Sequence, residues 1–392
     1  MYKLKIKKGS EARIIKGHPW IYSNEIQNFS DIKKAEIGEL VEVIINEHQY
    51  FATAYFNPHS LIAARILSYN QVEKINLDFF VKRIKSALSL RDRFFDEPFY
   101  RLIHSEGDSL PGLIIDRFDN VFSCQISTAG MEKLTPTIIE ALEEVFVNPT
   151  IVLRNESYLR KMENLELYSR LEKGELSSEI IVTENAVKYY ANLLDGQKTG
   201  WFYDQRKNRQ YLASLCKDAE VFDAFCYLGG FGISALKNGA KSVTFVDSSQ
   251  EALQLLQRNI ALNEISQECE IVNDKVFDVL ESAKFSQRRY DVVNLDPPAF
   301  IKSKKDFFSG IKGYEKLVKL AAKLLKPNSI LMLSSCSHNA TVADLTNACA
   351  VGFSKAKRSA KLIRTFGADC DHAIHPALKE NEYLKSLTFF VE

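Results

Sequence analysis

VFDAFCYLGGFGISAL, residues 221–236, is the stretch from which the fold class can be read. An apolar run ends in Asp223, passes through a turn containing Gly229, Gly230 and Gly232, and continues with a helical pattern. Glycines at such a turn let the backbone approach a ligand closely, because no Cβ stands in the way. Downstream the same order recurs. SVTFVD (242–247) precedes a helical stretch through Leu253 to Asn263, and CEIVND (269–274) and YDVVNLDPP (290–298) follow. A helix is expected from Tyr314, and SILMLSSCS (329–337) closes the series. Strands alternating with helices predict an α/β domain of Rossmann-like type, a doubly wound and mainly parallel sheet that binds ligands at the carboxyl ends of its strands.

The rest of the chain is organised differently. Residues 1–70 read as short alternating segments, KLKIK, LVEVII, YFATAYF and LIAARIL, broken by turn signals at Gly17, Gly38, Asn46 and Asn57-Pro58. That pattern predicts a small β-barrel. Residues 71–180 open with helical spacing at Leu77, Phe80, Val81, Ile84 and Leu88, then give LPGLIIDRFD, VFSCQIST, a helix over 131–146 and IVLRN, which predicts a central α+β domain. EIIVTENAVKYYANL (179–193) reads as a hairpin, so the third domain is expected to span 181–392 as hairpin plus α/β core.

Composition narrows the function classes. At 392 residues, 46% hydrophobic and 26% charged, the chain has the balance of an ordinary globular protein of two or three domains. Its net charge of +1 gives no global basic signature, so a nucleic-acid surface would have to be a local patch. The first 22 residues carry Lys3, Lys5, Lys7, Lys8, Arg13 and Lys16 against Glu11 alone, either as a basic face or as a solvated strand edge. Seven cysteines without a CxxC pair argue for reduced thiols and against a disulfide framework or zinc ribbon. Asp371, His372 and His375 have no second ligand pair at matching spacing, so no metal is expected. No apolar stretch has the length of a signal peptide or a membrane span; a cytoplasmic protein is expected.

Three strand ends carry the chemistry. Asp247 lies some twenty residues beyond the glycine turn, where a carboxylate can accept both hydroxyls of a ribose. The turn itself lacks the G-x-G-x-x-G form that suits a pyrophosphate, and Asp223 stands six positions before Gly229. An acidic residue there suits a cationic ligand, and S-adenosylmethionine carries an ammonium and a sulfonium but no phosphate. Asp296-Pro297-Pro298 with Phe300 ends a nearly wholly apolar strand and can present polar groups and a ring to a planar base. Cys336 ends a later strand; carbon 5 of a pyrimidine is a poor nucleophile until a thiolate adds at carbon 6, which a cysteine so placed could do. An inert packing role for Cys336 is the competing reading, and the other six cysteines read as structural.

Taken together these motifs resemble the family of large-subunit ribosomal RNA cytosine-5 methyltransferases, whose type member modifies 23S rRNA. The resemblance runs nearly end to end: KKGSEARIIKGHPWIYSNEI (7–26), EGDSLPGLIIDRF (106–118), GQKTGWFYDQRKNR (196–209), then FDAFCYLGGFG, VDSS, LDPPAF and SSCS in order. It implies an N-terminal PUA domain that binds RNA, a class I methyltransferase core and S-adenosylmethionine as methyl donor. It implies cofactor contacts from Phe202, Asp204, Gln205, Arg206, Asp223, Phe225, Cys226, Gly229, Gly230, Asp247, Ser248 and Asp296, with Arg206 or Gln205 facing the methionine carboxylate. Asp274, in VNDKVF, stands where the family usually has an acidic residue directly before Val-Phe. Asp296 and Cys336 are implied as catalytic, with Pro297, Pro298 and Phe300 against the substrate base. DHAIHP (371–376) replaces a shorter Asp-His-Pro run. N-methylation of an exocyclic amine and a non-catalytic RNA-binding role stay open as alternatives, as does assembly into a homodimer.

Overall fold

A computed structural model of the chain describes every residue except Glu47, Ser178 and residues 194–199. The chain forms two compact units: Met1–Ile180 with Ala191–Tyr203 and Cys370–Asn381, and Ile181–Tyr190 with Asp204–Asp369 and Glu382–Glu392.

The first unit contains two five-stranded sheets. In one, Tyr2–Lys5 lies at an edge, parallel to Glu39–Ile45, which continues through Gln49–Phe56 and Ala64–Ser68 to Trp20–Ile21. Leu4 and Ile6 point into its core while Lys3 and Lys7 are exposed, so the N-terminal lysines decorate an edge strand and discourage pairing with another chain. The other sheet is built from Phe99–His104, Leu113–Phe118, Val121–Ile126, Thr150–Asn155 and Tyr168–Lys173. Helices Leu77–Arg91 and Thr135–Val145 bury Phe80, Ile84 and Leu142 in its core. The segments 1–70 and 71–180 were expected as separate domains. Each has its own sheet and its own core, and within the one compact unit they are joined where the buried Tyr55 hydroxyl bonds Pro111 O and Thr128 Oγ1, both at 3.0 Å, and Trp20 Nε1 donates to Glu106 at 2.7 Å.

Residues 370–381 also join this unit, although the reading above placed them in the C-terminal domain. Buried Asp371 accepts the Arg101 backbone N–H at 2.9 Å and holds His372 Nδ1 at 2.6 Å, and its carbonyl takes Arg91 at 2.7 Å. Arg91 and Arg101 are themselves paired with Asp108 and Asp116. DHAIHP is therefore part of a buried ionic cluster, and among the described residues no group of acidic, histidine and cysteine side chains has the arrangement of a metal site.

The second unit holds a seven-stranded sheet in the order Glu268–Asn273, Ser242–Asp247, Glu220–Ala224, Tyr290–Leu295, Leu325–Ser335, Lys385–Val391, Ala360–Phe366. The first five strands are parallel, and Lys385–Val391 runs antiparallel to both its neighbours. This is the Rossmann-like sheet expected from the 221–337 pattern. The strand order reverses between Glu220–Ala224 and Tyr290–Leu295, and at such a switch point the carboxyl ends of the strands leave a crevice for a ligand. The hairpin expected over 179–193 forms from Ile180–Glu184 and Val187–Ala191, its two-residue turn carried by Asn185 and Ala186 in left-handed conformation, φ 51° and 62°.

The helix expected from Tyr314 starts earlier, at Phe307, and runs to Ala322. Ser303 and Asp306 form a capping box just before it. Gly310 and Gly313, which weaken helical propensity, let this first turn and a half press onto Phe300 and Ile301: a Cβ at Gly310 would stand 2.3 Å from Ile301 Cγ1. No helix among the described residues is long and apolar enough to cross a membrane.

Candidate functional site

Asp223 is the penultimate residue of the strand at the switch point and is fully buried. One carboxylate oxygen accepts Gly232 N at 2.9 Å, and the other accepts Asn294 Nδ2 of the neighbouring strand at 2.9 Å. The side chain therefore ties the glycine turn to the sheet. Burial pushes its pKa up to about 6, and the two hydrogen bonds only partly offset this. Immediately after it the backbone turns sharply. Phe225 and Tyr227 adopt left-handed conformations, φ 61° and 50°, and Gly229 sits at φ 83° directly before helix Gly230–Lys237. Two non-glycine residues in that region store roughly 1–2 kcal/mol each, a strain that recurs where a loop must be shaped for a ligand.

Asp247 ends the next strand and is half-buried. Its Oδ2 accepts Tyr227 N at 3.0 Å and its Oδ1 accepts Ser249 N at 2.9 Å, so it braces the glycine turn and orients itself. An ionised carboxylate has about four acceptor positions, so two hydroxyl donors can still be taken. Ser248 beside it is exposed. Asp274 is exposed as well; its backbone N–H donates to Asp247 O at 3.1 Å, which brings the third strand end to the same rim. Asp223, Asp247, Asp274 and the glycine turn thus converge at one end of the sheet. Cys226 is buried beneath the turn, and its thiol is pushed well above the usual range, chiefly by burial.

Asp296 and Cys336 step off the carboxyl ends of adjacent parallel strands, paired at Leu295 and Leu333. Gln205 Nε2 donates to Asp296 Oδ1 at 2.9 Å, while Asn208 Nδ2 holds Gln205 Oε1 at 2.6 Å. Pro297 is buried and Pro298 exposed. Phe300, expected to stack on a substrate base, packs its ring on Tyr314 and Phe277, with centroids 4.8 and 6.2 Å away; the early start of the following helix holds it there.

Cys336 is half-buried between two fully buried serines. Tyr314 lies with its hydroxyl 2.7 Å from Ser335 Oγ and 3.0 Å from Ser337 Oγ, and Ile301 N donates to Ser337 Oγ at 3.2 Å. Lys385 faces Ser335 across the antiparallel pair and donates Nζ to Ser337 O at 2.9 Å. Burial holds the Lys385 pKa below its ordinary value, partly offset by the negative charge of Glu382 and, after it, of a Cys336 thiolate. The thiols of Cys124, Cys216, Cys226 and Cys349 are all pushed up by burial, which makes them poor nucleophiles.

Of the residues in the distinctive GQKTGWFYDQRKNR segment, 196–199 lie outside the described residues, and Phe202 belongs to the first unit. Asp204 is buried, its Oδ2 taken by the Tyr383 hydroxyl at 2.6 Å. Arg206, expected near the methionine carboxylate, reaches Glu184 of the hairpin at 3.5 Å, beside the bidentate Arg209–Glu184 pair at 2.6 and 2.8 Å. The reading from sequence missed Asn294, Tyr314, Lys385 and Tyr383. Asn294 carried a weak signal, a polar residue at a buried position of an apolar strand; the others are brought in by pairings that span tens of residues.

Comparison with known proteins agrees with this architecture. Residues 4–69 match the family model of a PUA-like domain, and residues 206–361 match that of Conserved hypothetical protein 95. Ribosomal RNA large subunit methyltransferase I of Aliivibrio fischeri strain MJ11 is 35% identical over 383 residues, covering 96% of both chains. The protein of that name from Shewanella frigidimarina is 36% identical over 390 residues, covering 98% of both. Two solved structures, a candidate methyltransferase complexed with SAH and a candidate SAM-dependent methyltransferase from Streptococcus mutans, superpose with TM-scores of 0.85 and 0.83 over 100% of each chain at 23% identity, and so share the fold.

Proposed function

The chain belongs to the family of ribosomal RNA large subunit methyltransferase I, and we propose that it transfers a methyl group from S-adenosylmethionine to carbon 5 of a cytosine in large-subunit ribosomal RNA, in the cytoplasm. The observation that carries this reading is the placement of Cys336 and Asp296 on adjacent strand ends, beside the rim formed by Asp223, Asp247 and Asp274.

The donor set fits the cofactor. Asp247 is oriented to take the ribose hydroxyls, Asp274 stands on the same rim for the adenine side, and the turn through Phe225, Cys226, Gly229 and Gly230, anchored by Asp223, shapes the wall between them. Gln205 contributes through Asp296, and Asp204 and Arg206 frame the segment around it. The bound cofactor supplies an electrophilic methyl on a sulfonium.

The protein's own groups prepare the base. The Cys336 sulfur adds as a thiolate to carbon 6, and the displaced electron pair makes carbon 5 nucleophilic toward the methyl. Loss of the carbon 5 proton to a base and departure of the thiolate then restore the ring. Lys385 favours the thiolate by its positive charge, and Tyr314 holds the serines on either side of the sulfur. Asp296, oriented by Gln205, hydrogen-bonds the N3 edge of the base, and Pro297 and Pro298 stiffen the loop that presents it. The PUA-like segment supplies RNA affinity.

The test is transfer of labelled methyl to ribosomal RNA from cells lacking this gene, with wild type and Cys336→Ala, followed by nucleoside mass analysis. 5-Methylcytosine formed by wild type alone is the expected result. A methylated exocyclic amine, or equal activity in the variant, would overturn the cytosine-5 assignment.

A further inference from the structure

Between Ile301 and Gly313 the second unit presents a short segment that the chemistry above does not use. Lys302, Lys304, Lys305 and Lys312 are all exposed. The one carboxylate within it, Asp306, is engaged in capping: its Oδ2 accepts Ser303 N at 3.0 Å and Ser303 Oγ at 2.8 Å. The segment is thus strongly cationic in a chain whose overall charge is +1. Phe308 stands out of it with 79% of its surface exposed, while its neighbour Phe307 packs against the core.

Its position is held by close packing. Gly310 lets the helix start press on Phe300 and Ile301, and Gly313 lies against the Phe300 ring. Ile301 N is bonded to Ser337 Oγ, one residue from Cys336. The segment also follows directly on Asp296-Pro297-Pro298. Cationic groups and one outward aromatic ring thus follow directly on the Asp296-Pro297-Pro298 loop, on a segment whose start is tied to the cysteine loop. Single-stranded nucleic acid is recognised by this combination, phosphates by lysines and an unstacked base by an aromatic face.

We propose that residues 302–312 form a lip that grips the single-stranded RNA flanking the target nucleotide, with Phe308 as the stacking platform for one base and the four lysines as phosphate contacts. This inference rests on the RNA-methyltransferase reading. It assigns to this surface a partner of one kind, an unpaired RNA strand, and it requires that the target lie in a loop or an opened helix.

The experiment measures binding of the full chain to a fluorescein-labelled, cytosine-rich single-stranded RNA of about 12 nucleotides over a series of salt concentrations, alongside binding of S-adenosylmethionine. Phe308→Ala is expected to weaken RNA binding about tenfold and leave cofactor binding unchanged, while Phe308→Trp retains it. Lys302→Gln with Lys304→Gln and Lys305→Gln is expected to flatten the slope of log affinity against log salt by about 2, at roughly 0.7 per single-strand phosphate contact. The same charge removed at exposed Lys217, Lys323 and Lys357 should change the slope far less. Lip variants that bind like wild type, or control lysines that matter equally, overturn the lip and leave the methyltransferase reading intact. A wild-type chain that binds S-adenosylmethionine but no RNA overturns both.

Discussion

Replacing Asp223 by Asn should change the way the second unit's stability depends on pH, and the size of the change follows from the burial of this carboxyl. Its pKa rises from 3.8 to about 6 in the folded protein, first because burial disfavours the charge. A raised folded-state pKa in an acid means that the folded state binds the proton more tightly than the unfolded chain does. Between about pH 4 and 6 stability therefore falls as pH rises, and it levels off above the folded pKa. At about 1.4 kcal/mol per pK unit the full interval corresponds to about 3 kcal/mol, of which about 2.5 kcal/mol is lost between pH 4 and pH 7, because the unfolded carboxyl is already more than half ionised at pH 4. Asn keeps the volume, cannot ionise, and leaves Gly232 N facing an amide, a penalty of about 1 kcal/mol that does not vary with pH. The stability of Asp223→Asn relative to wild type should thus rise by about 2.5 kcal/mol from pH 4 to pH 7. Both tryptophans lie in the first unit, so hydrogen exchange of amides in Glu220–Ala224 and Tyr290–Leu295, corrected for intrinsic rate at each pH, is the suitable probe. Other carboxyls titrate in both proteins and cancel. A stability difference that stays flat over this range, or falls with pH, would refute the argument that burial dominates at Asp223.

Three further outcomes are expected. Gly232→Ala places a Cβ 2.2 Å from Phe245 Cε1 and 2.9 Å from Val243 Cγ1, both in the sheet; overpacking of this kind costs about 1–3 kcal/mol, seen as faster exchange in helix Gly230–Lys237. Glu184→Gln removes the charge that pairs with buried Arg209 and should destabilise the second unit by about 3 kcal/mol, readable from the same amides, because a buried guanidinium loses its counter-charge. Lys385→Met should raise the pH at which Cys336 is alkylated, followed by mass analysis of the peptide that carries it, while Lys385→Arg keeps it near wild type; an unchanged profile in the methionine variant would remove Lys385 from the thiolate's environment.

Asp223, Asp247, Asp296 and Cys336 were legible in the sequence because each marks the end of a buried strand, and a run of apolar residues closed by a polar one and a turn is a signal contained within about ten residues. The Rossmann-like order was legible for the same reason, since it is a succession of such local signals. Lys385 illustrates what no local signal contains. Its strand lies between Leu325–Ser335 and Ala360–Phe366, so the last strand of the chain is inserted between two earlier ones, and only the register Ser335 to Lys385 brings the ammonium to the cysteine loop. Nothing in LKSLTFFVE announces that partner. The cluster of Asp371 and His372 with Arg91 and Arg101 is the same case at a separation of 280 and 270 residues, and it moves residues 370–381 into the first unit. Phe300 shows another limit of local signals: its motif reads as a base platform, yet the capping box at Ser303 and Asp306 starts the helix at Phe307, despite Gly310 and Gly313, and that helix brings Tyr314 against the ring. The aromatic face left outward by that earlier start is Phe308. Phe308, eight residues further along, is recognised as the platform of the proposed lip only from its exposure in the folded chain, which no local pattern announces.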